Sequence, residues 1–477
     1  MSIGFFVLLE AGVFHARIMS DWSWEIDGWM IVIGALCAAA AALLGNFLVL
    51  RRMSLLGDAI SHAVLPGLAA AFIFTGQRQG LVMFIGAAAV GVLTVLLTEL
   101  ARHYGRVDEG ASIGIVFTGL FALGLMLISL DAAKRVDLDA SCVLYGSLEL
   151  SVLDHVEFAG LSVPRVVIPL AIACVLNAVF VFGLYRPLKV STFDPQLAAA
   201  QGIRVGLIHY SLAAFVAITA VASFESVGNI LVVAMFVVPP VTAWLLTDRL
   251  AVMIGLSVAI GILSAVLGHL SAITVPTWFG GLLSVVFGCI HWFTAETIVL
   301  PPIGKSNTAG MIAVVAGLLL VLAALFGPRK GILSRGFRSL RVALNILSED
   351  VLAAIYRAEL QGQPEVATRT IRGNLRVSSL RARFVLIWLK WQKLLGQSNQ
   401  HLSLASGGRR QAQNIVRAHR LWEQYLASEA GLSDRELHQG AERFEHFTDR
   451  QLRERLNAET NAPDVDPHGQ PIPPEAP

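Results

Sequence analysis

Asp58 and His62 stand four residues apart in RRMSLLGDAISHAVLPG, on one face of any helix drawn through them. A carboxylate and an imidazole one turn apart form a donor pair suited to manganese, iron or zinc, whereas a sodium or potassium site uses oxygen alone. The surrounding segment is apolar, and an ionisable side chain within a membrane span is costly enough that it usually has a task. Spacing alone leaves a second reading open, in which Asp58 caps the helix near the interface and His62 bonds a backbone carbonyl. The same residue types recur near the C-terminus. His419 and Glu423 are at i, i+4, then His438, Glu442 and His446 at i, i+4, i+8, with Glu445 beside the last. On one continuous helix the later set shares a face, turn after turn. Imidazole with carboxylate and no thiolate favours manganese or iron over softer metals. A lone His–Glu pair is commonly a surface salt bridge, but six such residues on two neighbouring expected helices point to ion binding.

The elements that must carry these residues are of two kinds. Of the 477 residues, 55% are hydrophobic and only 15% charged, and mean hydropathy is +0.66, which excludes an ordinary soluble globular protein for most of the chain. Stretches of about 20 apolar residues are long enough to cross a bilayer. They occur near 28–50, 57–76, 80–100, 110–130, 163–185, 207–225, 227–246, 250–270 and 308–327, giving nine spans. Arg51, Arg52, the Arg102–Arg106 loop, the Arg186–Arg204 loop, Arg249 and the 329–341 basic run then share one side, cytoplasmic by the positive-inside rule, with the N-terminus outside. A tenth crossing would break that pattern, so 280–300 is expected to be re-entrant or interfacial. The acidic segment 131–160 lies outside in this scheme, either attracting cations or simply solvated. Glu225 and His269, near span ends, read as structural. Cys37, Cys142, Cys174 and Cys289 share no CxxC spacing and read as small core residues. The N-terminal apolar run Phe5–Leu9 is too short and lacks the basic flank of a cleavable signal.

Beyond residue 330 the texture changes to interspersed Arg, Glu, Gln, Asp and His with helical apolar spacing, as in QNIVRAHRLWEQYLASEAG. The expected organisation is an N-terminal segment 1–27, a membrane domain 28–330, a basic juxtamembrane linker 331–345, soluble regions 346–404 and 405–460, and a Pro-rich tail 461–477, mobile unless docked. Between spans, Asp194 can N-cap a short helix that starts at Pro195, and Gly202 can end it in a left-handed turn. Such a helix is a suitable lever for a motor protein. The chain has no GxxxxGK[ST] phosphate loop, so any ATPase is another polypeptide.

Four ordered stretches, RRMSLLGDAISHAVLPGLA, DEGASIGIVFTGLFALGLML, STFDPQLAAAQGIRVG and SVGNILVVAMFVVPPVTAWLLT, resemble the motifs of permeases from the zinc/manganese/iron branch of ABC importers. The resemblance implies a polytopic all-α bundle in the bacterial inner membrane, in contact with lipid. It also implies a cytoplasmic ABC ATPase subunit, an extracytoplasmic metal-binding protein, and either a homodimer or a sister permease. Asp58 and His62 match the positions proposed to bind metal in transit. Phe193, Asp194, Pro195, Ala198 and Gly202 match the ATPase-coupling region.

The C-terminal stretch VRAHRLWEQYLASEAGLSDRELHQGAERFEHFTDRQLRERL, ending in DPHGQPIP, resembles the metal-binding and dimerisation region of iron-dependent, diphtheria toxin repressor-like regulators. EDVLAAIYRAE and the 366–400 segment resemble that family's winged helix-turn-helix, cytoplasmic in this scheme. By this resemblance His419, Glu442, Glu445 and His446 form a regulatory metal site, and Glu423 and His438 an ancillary one. Glu442 stands where manganese sensors carry glutamate and iron sensors cysteine, so the metal leans to manganese, with iron or zinc as alternatives. Two departures stand out. Asp350 matches an N-terminal ligand, but Ala353 replaces its carboxylate partner. The expected recognition helix offers Arg381, Arg383, Lys390 and Lys393 to phosphate, yet it is apolar on most sides. The implied roles are permease with a metal-sensing tail, or alternatively permease plus metal-dependent repressor.

Overall fold

A computed structural model describes residues 22–53, 55–75, 81–129, 148–158, 161–294, 306–363, 365–367, 371, 379–398, 401–430 and 434–476. The chain divides into two compact units, Met1–Ser334 and Arg335–Pro477.

The first unit is a helical bundle with helix α1, Asp27–Leu50, at its centre. Ile33, Cys37, Leu44, Phe47 and Leu48 on α1 are fully buried. Around α1 stand α2 (Leu56–Ala63), α3 (Leu65–Thr75), α4 (Leu81–Gly105), α5 (Glu109–Ser129), the short α6 (Leu148–Ser151), α7 (Val167–Gly183), α8 (Tyr185–Phe193), α9 (Pro195–Ala200), α10 (Val205–Val227), α11 (Asn229–Leu246), α12 (Leu250–Thr294) and α13 (Thr308–Phe326). In lipid, helices associate through small residues and buried polar pairs rather than apolar burial. Gly45 shows the first device, since a Cβ there would lie 2.2 Å from the Phe236 carbonyl oxygen of α11. Asn46 and Asn177 show the second. Asn46 Nδ2 donates to Ser257 Oγ at 2.7 Å, and Asn177 Nδ2 donates to Ala40 O and Thr219 Oγ1 at 3.0 and 2.8 Å.

Among the described residues, eight helical stretches are long and apolar enough to cross a membrane. A ninth crossing is a broken one, α7 followed by α8 at a bend of 72°. This pair coincides with the span expected near 163–185, bent and shifted towards the C-terminus. Residues Leu161–Pro164 pair instead with His155–Phe158 as an antiparallel hairpin, β1–β2, and the helix starts at Val167. Pro187 accounts for the bend, because it suits the first turn of a new helix and cannot continue the old one. Helix α12 continues through Thr294, with its membrane-crossing stretch over Leu250–Val275, so the part of 280–300 that is described is helical, where a re-entrant or interfacial segment was expected. Residues 295–300 lie outside the described residues, as do Asp131, Asp137, Asp139 and Cys142 and the side chains of Glu225 and Cys289.

The second unit begins inside helix α14, Ile332–Leu360, so the basic segment expected as a linker is helical from Ile332 onward. A three-stranded antiparallel sheet follows, in the order β3 (Val366–Ala367), β5 (His401–Leu404), β4 (Leu395–Ser398), with α15 (Ser379–Trp391) before β4. This is the helix-plus-wing arrangement expected for 346–404. Val351, Ile355, Val385, Leu389, Leu402 and Val416 form its core. Helices α16 (Ser406–Ala430), α17 (Asp434–Phe444) and α18 (Arg450–Glu459), with a 3-10 turn at Glu445–Phe447, complete the unit.

The Pro-rich tail is docked along α16 and α18 rather than loose. Arg417 Nη1 donates to Pro473 O at 2.7 Å, Gln413 Nε2 to Pro474 O at 2.8 Å, and Ala476 N to Asn414 Oδ1 at 2.9 Å. Arg453 forks onto both oxygens of Glu475, its Nη2 lying 2.5 Å from Oε1, and Arg417 stands 3.3 Å away. These two guanidinium groups, with Arg453 first, hold the Glu475 carboxyl below its usual range despite partial burial. Glu475→Ala is expected to destabilise this unit by about 2 kcal/mol, the scale of charge-assisted hydrogen bonds. Denaturant unfolding of the full chain, followed through the C-terminal unit, measures it.

Candidate metal centres

Asp58 and His62 face each other across one turn of α2, with His62 Nε2 3.5 Å from Asp58 Oδ1. Both side chains are partly exposed, at 49% for Asp58 and 29% for His62, so neither is locked into a buried structural pair. A third residue joins them from α11. Asn229 Nδ2 lies 3.3 Å from His62 Nε2, and Asn229 Oδ1 is buried without a hydrogen-bond partner among the described residues. Gly228 makes this possible, because its φ of +78° turns the chain sharply between α10 and α11. The rings of Phe117 and Phe121 on α5 stand 6.0 Å from the imidazole and restrict its rotation. Sequence reading missed Asn229, although it lies in the quoted SVGNILVV motif, because nothing local marks a contact 167 residues away.

The helix-turn at 193–202 takes the geometry its residues dictate. Asp194 Oδ1 accepts from Leu197 N at 2.9 Å, Pro195 opens α9, and Gly202 ends it at φ +78°. Ala198 is buried, while Phe193 and Leu197 are exposed at 61% and 48%, an apolar knob at the turn. Arg51, at the end of α1, donates to Ser191 Oγ at 2.8 Å and Thr192 Oγ1 at 3.1 Å on α8. The turn is therefore tied to the segment that leads into Asp58. Asp194→Ala is expected to cost about 1 kcal/mol of local helix stability. The expected readout is faster backbone amide exchange at 195–200, with the bundle unchanged.

In the second unit, donors gather in two adjacent groups. In the first, His419 Nε2 and His438 Nδ1 lie 3.1 and 3.0 Å from the same Glu423 oxygen and 3.1 Å from each other. His468 Nδ1 is 3.8 Å from the other Glu423 oxygen, and Asp466 stands with these two residues in an overlapping group. In the second, His446 Nε2 faces Asp350 Oδ1 at 3.2 Å and Glu445 Oε1 at 3.5 Å. Its Nδ1 donates to Glu349 Oε2 at 2.7 Å. His419 Nδ1 donates to Glu445 Oε2 at 2.6 Å and so joins the two groups. Ring nitrogens converging on shared carboxylate oxygens suit a divalent ion, which would replace several bridging protons at once. The Glu349 contact orients the His446 ring and leaves Nε2 directed at the ligand group.

Several placements differ from the sequence expectation. Glu442 is exposed and belongs to none of these groups. The helix gives way to a 3-10 turn at Glu445, so His446 leaves the face that His438 and Glu442 share. Asp350 sits directly on His446, and Glu349 brings a carboxylate to the side opposite, where Ala353 offers none. Glu349, Asp466 and His468 escaped the sequence reading, although EDV and DPHG carried them. His269, read as structural, is buried against Asp27.

The electrostatics follow from burial opposed by partners. Burial pulls His446 down, but the bonds to Asp350 and Glu349 and the charges of Glu445 and Asp350 outweigh it and raise the imidazole to about 10. Burial likewise lowers His419, and Glu423 and Glu445 more than reverse it. Glu423 is pushed up by burial but held at about 2 by hydrogen bonds from His419 and His438. On α15, Ala382, Val385, Leu386 and Leu389 pack inward, and Arg381 and Arg383 are exposed. Phe384, Ile387, Trp388 and Trp391 are exposed beside them, so the outward face is more aromatic than basic.

Both parts of the chain have relatives among known proteins. Residues 24–295 match the ABC 3 transport family, and 406–474 match the iron dependent repressor, metal binding and dimerisation domain. The manganese transport system membrane protein MntD of Bacillus subtilis is 41% identical over 319 residues, covering 67% of this chain and 98% of that protein. The zinc transport system membrane protein TroD of Treponema pallidum is 33% identical, covering 75% and 90%. The structure of PsaBC from Streptococcus pneumoniae in complex with Fab overlays with a TM-score of 0.49 and 25% identity, covering 67% of this chain and 97% of that one. With more than half its length in the first match, the chain belongs to the ABC 3 transport family of multi-span membrane permeases and carries an iron-dependent-repressor metal-binding domain behind its bundle.

Proposed function

We propose that this chain is the permease subunit of an ATP-driven importer for a divalent transition metal, manganese ahead of iron or zinc, and that its C-terminal unit senses the same ion. The observation that carries the transport reading is the Asp58–His62–Asn229 constellation, a carboxylate, an imidazole and a free amide oxygen brought together between apolar helices. One chain offers two or three donors there, fewer than a first-row ion takes, which fits a pair of permease chains sharing the site. The relatives' names include both manganese and zinc, and the oxygen-rich donor sets of this chain favour manganese. The basic loops support a cytoplasmic C-terminal unit and an N-terminus outside. The Phe193–Gly202 turn is then the contact for a separate cytoplasmic ATPase, and an extracytoplasmic metal-binding protein delivers the ion.

Metal binding in the tail changes which groups its buried carboxylates hold, and so gives two states through which transport is throttled. Uptake of radioactive manganese into vesicles holding the full chain and its co-purified ATPase is the test. ATP-dependent accumulation that falls at high internal manganese, and does not fall when residues 346–477 are removed, supports both parts. Accumulation without ATP overturns the first, and an identical response without the tail overturns the second. A repressor role through Arg381, Arg383 and Lys390 is disfavoured by the four large apolar side chains exposed on the same helix.

A further inference from the structure

A second ionisable pair lies elsewhere in the bundle. Asp27 opens α1 with its carboxylate 4% exposed, and His269 of α12 is 2% exposed, with Nε2 3.1 Å from Asp27 Oδ1. Ser23 N donates to the other Asp27 oxygen at 2.7 Å, and the Trp22 ring stands edge-on to the imidazole at 5.8 Å. The pair forms one wall of a cavity of about 490 Å³, which Glu149, Ser306, Asn307 and Thr308 also line. Glu149 reaches the cavity from α6, where its Oε1 accepts from Thr308 N at 2.9 Å.

Three further contacts set the depth. From Asp27 onward, α1 runs antiparallel to α12, with Gly34 against Ala265, Ala38 against Gly261, and Asn46 bonded to Ser257. The Asp27–His269 pair thus sits at the end of α1 remote from Arg51 and Arg52, away from the Asp58–His62 helix that follows those arginines. A knot that merely ties two helices together needs no second carboxylate and no polar cavity beside it. Burying a carboxylate and an imidazole is costly unless both are used or well partnered.

We propose that this cavity is a second divalent-cation site, in which Asp27 and His269 hold a first-row ion such as manganese and Glu149, farther off on the cavity lining, adds a second carboxylate. Two carboxylates, one imidazole and neighbouring hydroxyl and amide groups make a thiolate-free set that suits manganese better than copper. On the orientation proposed above this end of the bundle faces outward, so the site is the first stop for an arriving ion. Binding itself depends neither on that orientation nor on the Asp58–His62 reading.

The test counts manganese bound to the full chain in lipid nanodiscs, by equilibrium dialysis with electron paramagnetic resonance of free Mn2+. Asp27→Asn with His269→Gln is expected to lose one equivalent per chain, while Asp58→Asn with His62→Gln loses a separate class of site and the fourfold variant loses both classes. An unchanged count in the first double variant overturns the proposal, whatever the second shows. Should the first variant fail to purify as a single species, Glu149→Gln decides. At least tenfold weaker binding at one class of site supports the cavity, and a superimposable isotherm overturns it.

Discussion

Replacing Asp58 or His62 with alanine is expected to lower metal uptake at least tenfold in each case, with the bundle still folded. The size follows from the donor count. A site with only two or three ligands from one chain has no spare donor, and removal of even an outer-sphere partner of a metal ligand costs roughly 10–100-fold in affinity or activity. Folding survives because both side chains are partly exposed, although His62→Ala removes the partner of the buried Asn229 amide at a cost of about 1–3 kcal/mol. Asn229→Ala is expected to fall between these variants and the parent, and Asn229→Asp to retain binding, since a carboxylate keeps an oxygen where the amide oxygen stands. Initial uptake rates in vesicles, set beside expression and monodispersity, provide the check. Parental uptake in both alanine variants removes Asp58 and His62 from the ion route.

His419→Ala is expected to disable both metal groups of the C-terminal unit together, weakening each roughly 10–100-fold. Its imidazole reaches both, since Nε2 serves Glu423 and Nδ1 serves Glu445. The same change removes one hydrogen bond from each of two buried carboxylates, which keep His438 and His446 as neighbours, a loss of about 1–3 kcal/mol. His438→Ala, with its side chain 56% exposed, should weaken the first group alone and leave stability nearly unchanged. Calorimetric titration of the full chain with manganese separates the two variants. Equal isotherms for His419→Ala and His438→Ala would mean that the groups are not joined through His419.

The pH dependence of the metal-free C-terminal unit follows from the same contacts. His446 is raised from 6.5 to about 10, so its contribution is complete below pH 6.5 and is lost as pH rises through 10. Glu423 is depressed from 4.5 to about 2, so its contribution is complete above pH 4.5 and is lost as pH falls through 2. Stability from these two groups is therefore greatest between about pH 4.5 and 6.5. Manganese must displace the His446 proton to reach Nε2, so binding at pH 7 releases protons, seen as a dependence of binding enthalpy on buffer ionisation.

Sequence alone determined the class of this protein. Runs of apolar residues, the basic residues between them and the change of texture after residue 330 are properties of composition and order. They do not depend on which helix touches which. The i, i+4 pairs Asp58–His62 and His419–Glu423 were legible for a related reason, because helical periodicity places partners within one element. Tertiary structure alone decided the rest. Asn229 reaches His62 from 167 residues away, and Glu349 reaches His446 from 97, separations that no local periodicity encodes. A tightening of one helical turn at Glu445 rotated His446 away from Glu442, and guanidinium groups of Arg417 and Arg453 drew a proline-rich tail onto the surface. Spacing along a chain reports only what one helix can bring together; a metal centre is assembled from several, and packing selects them.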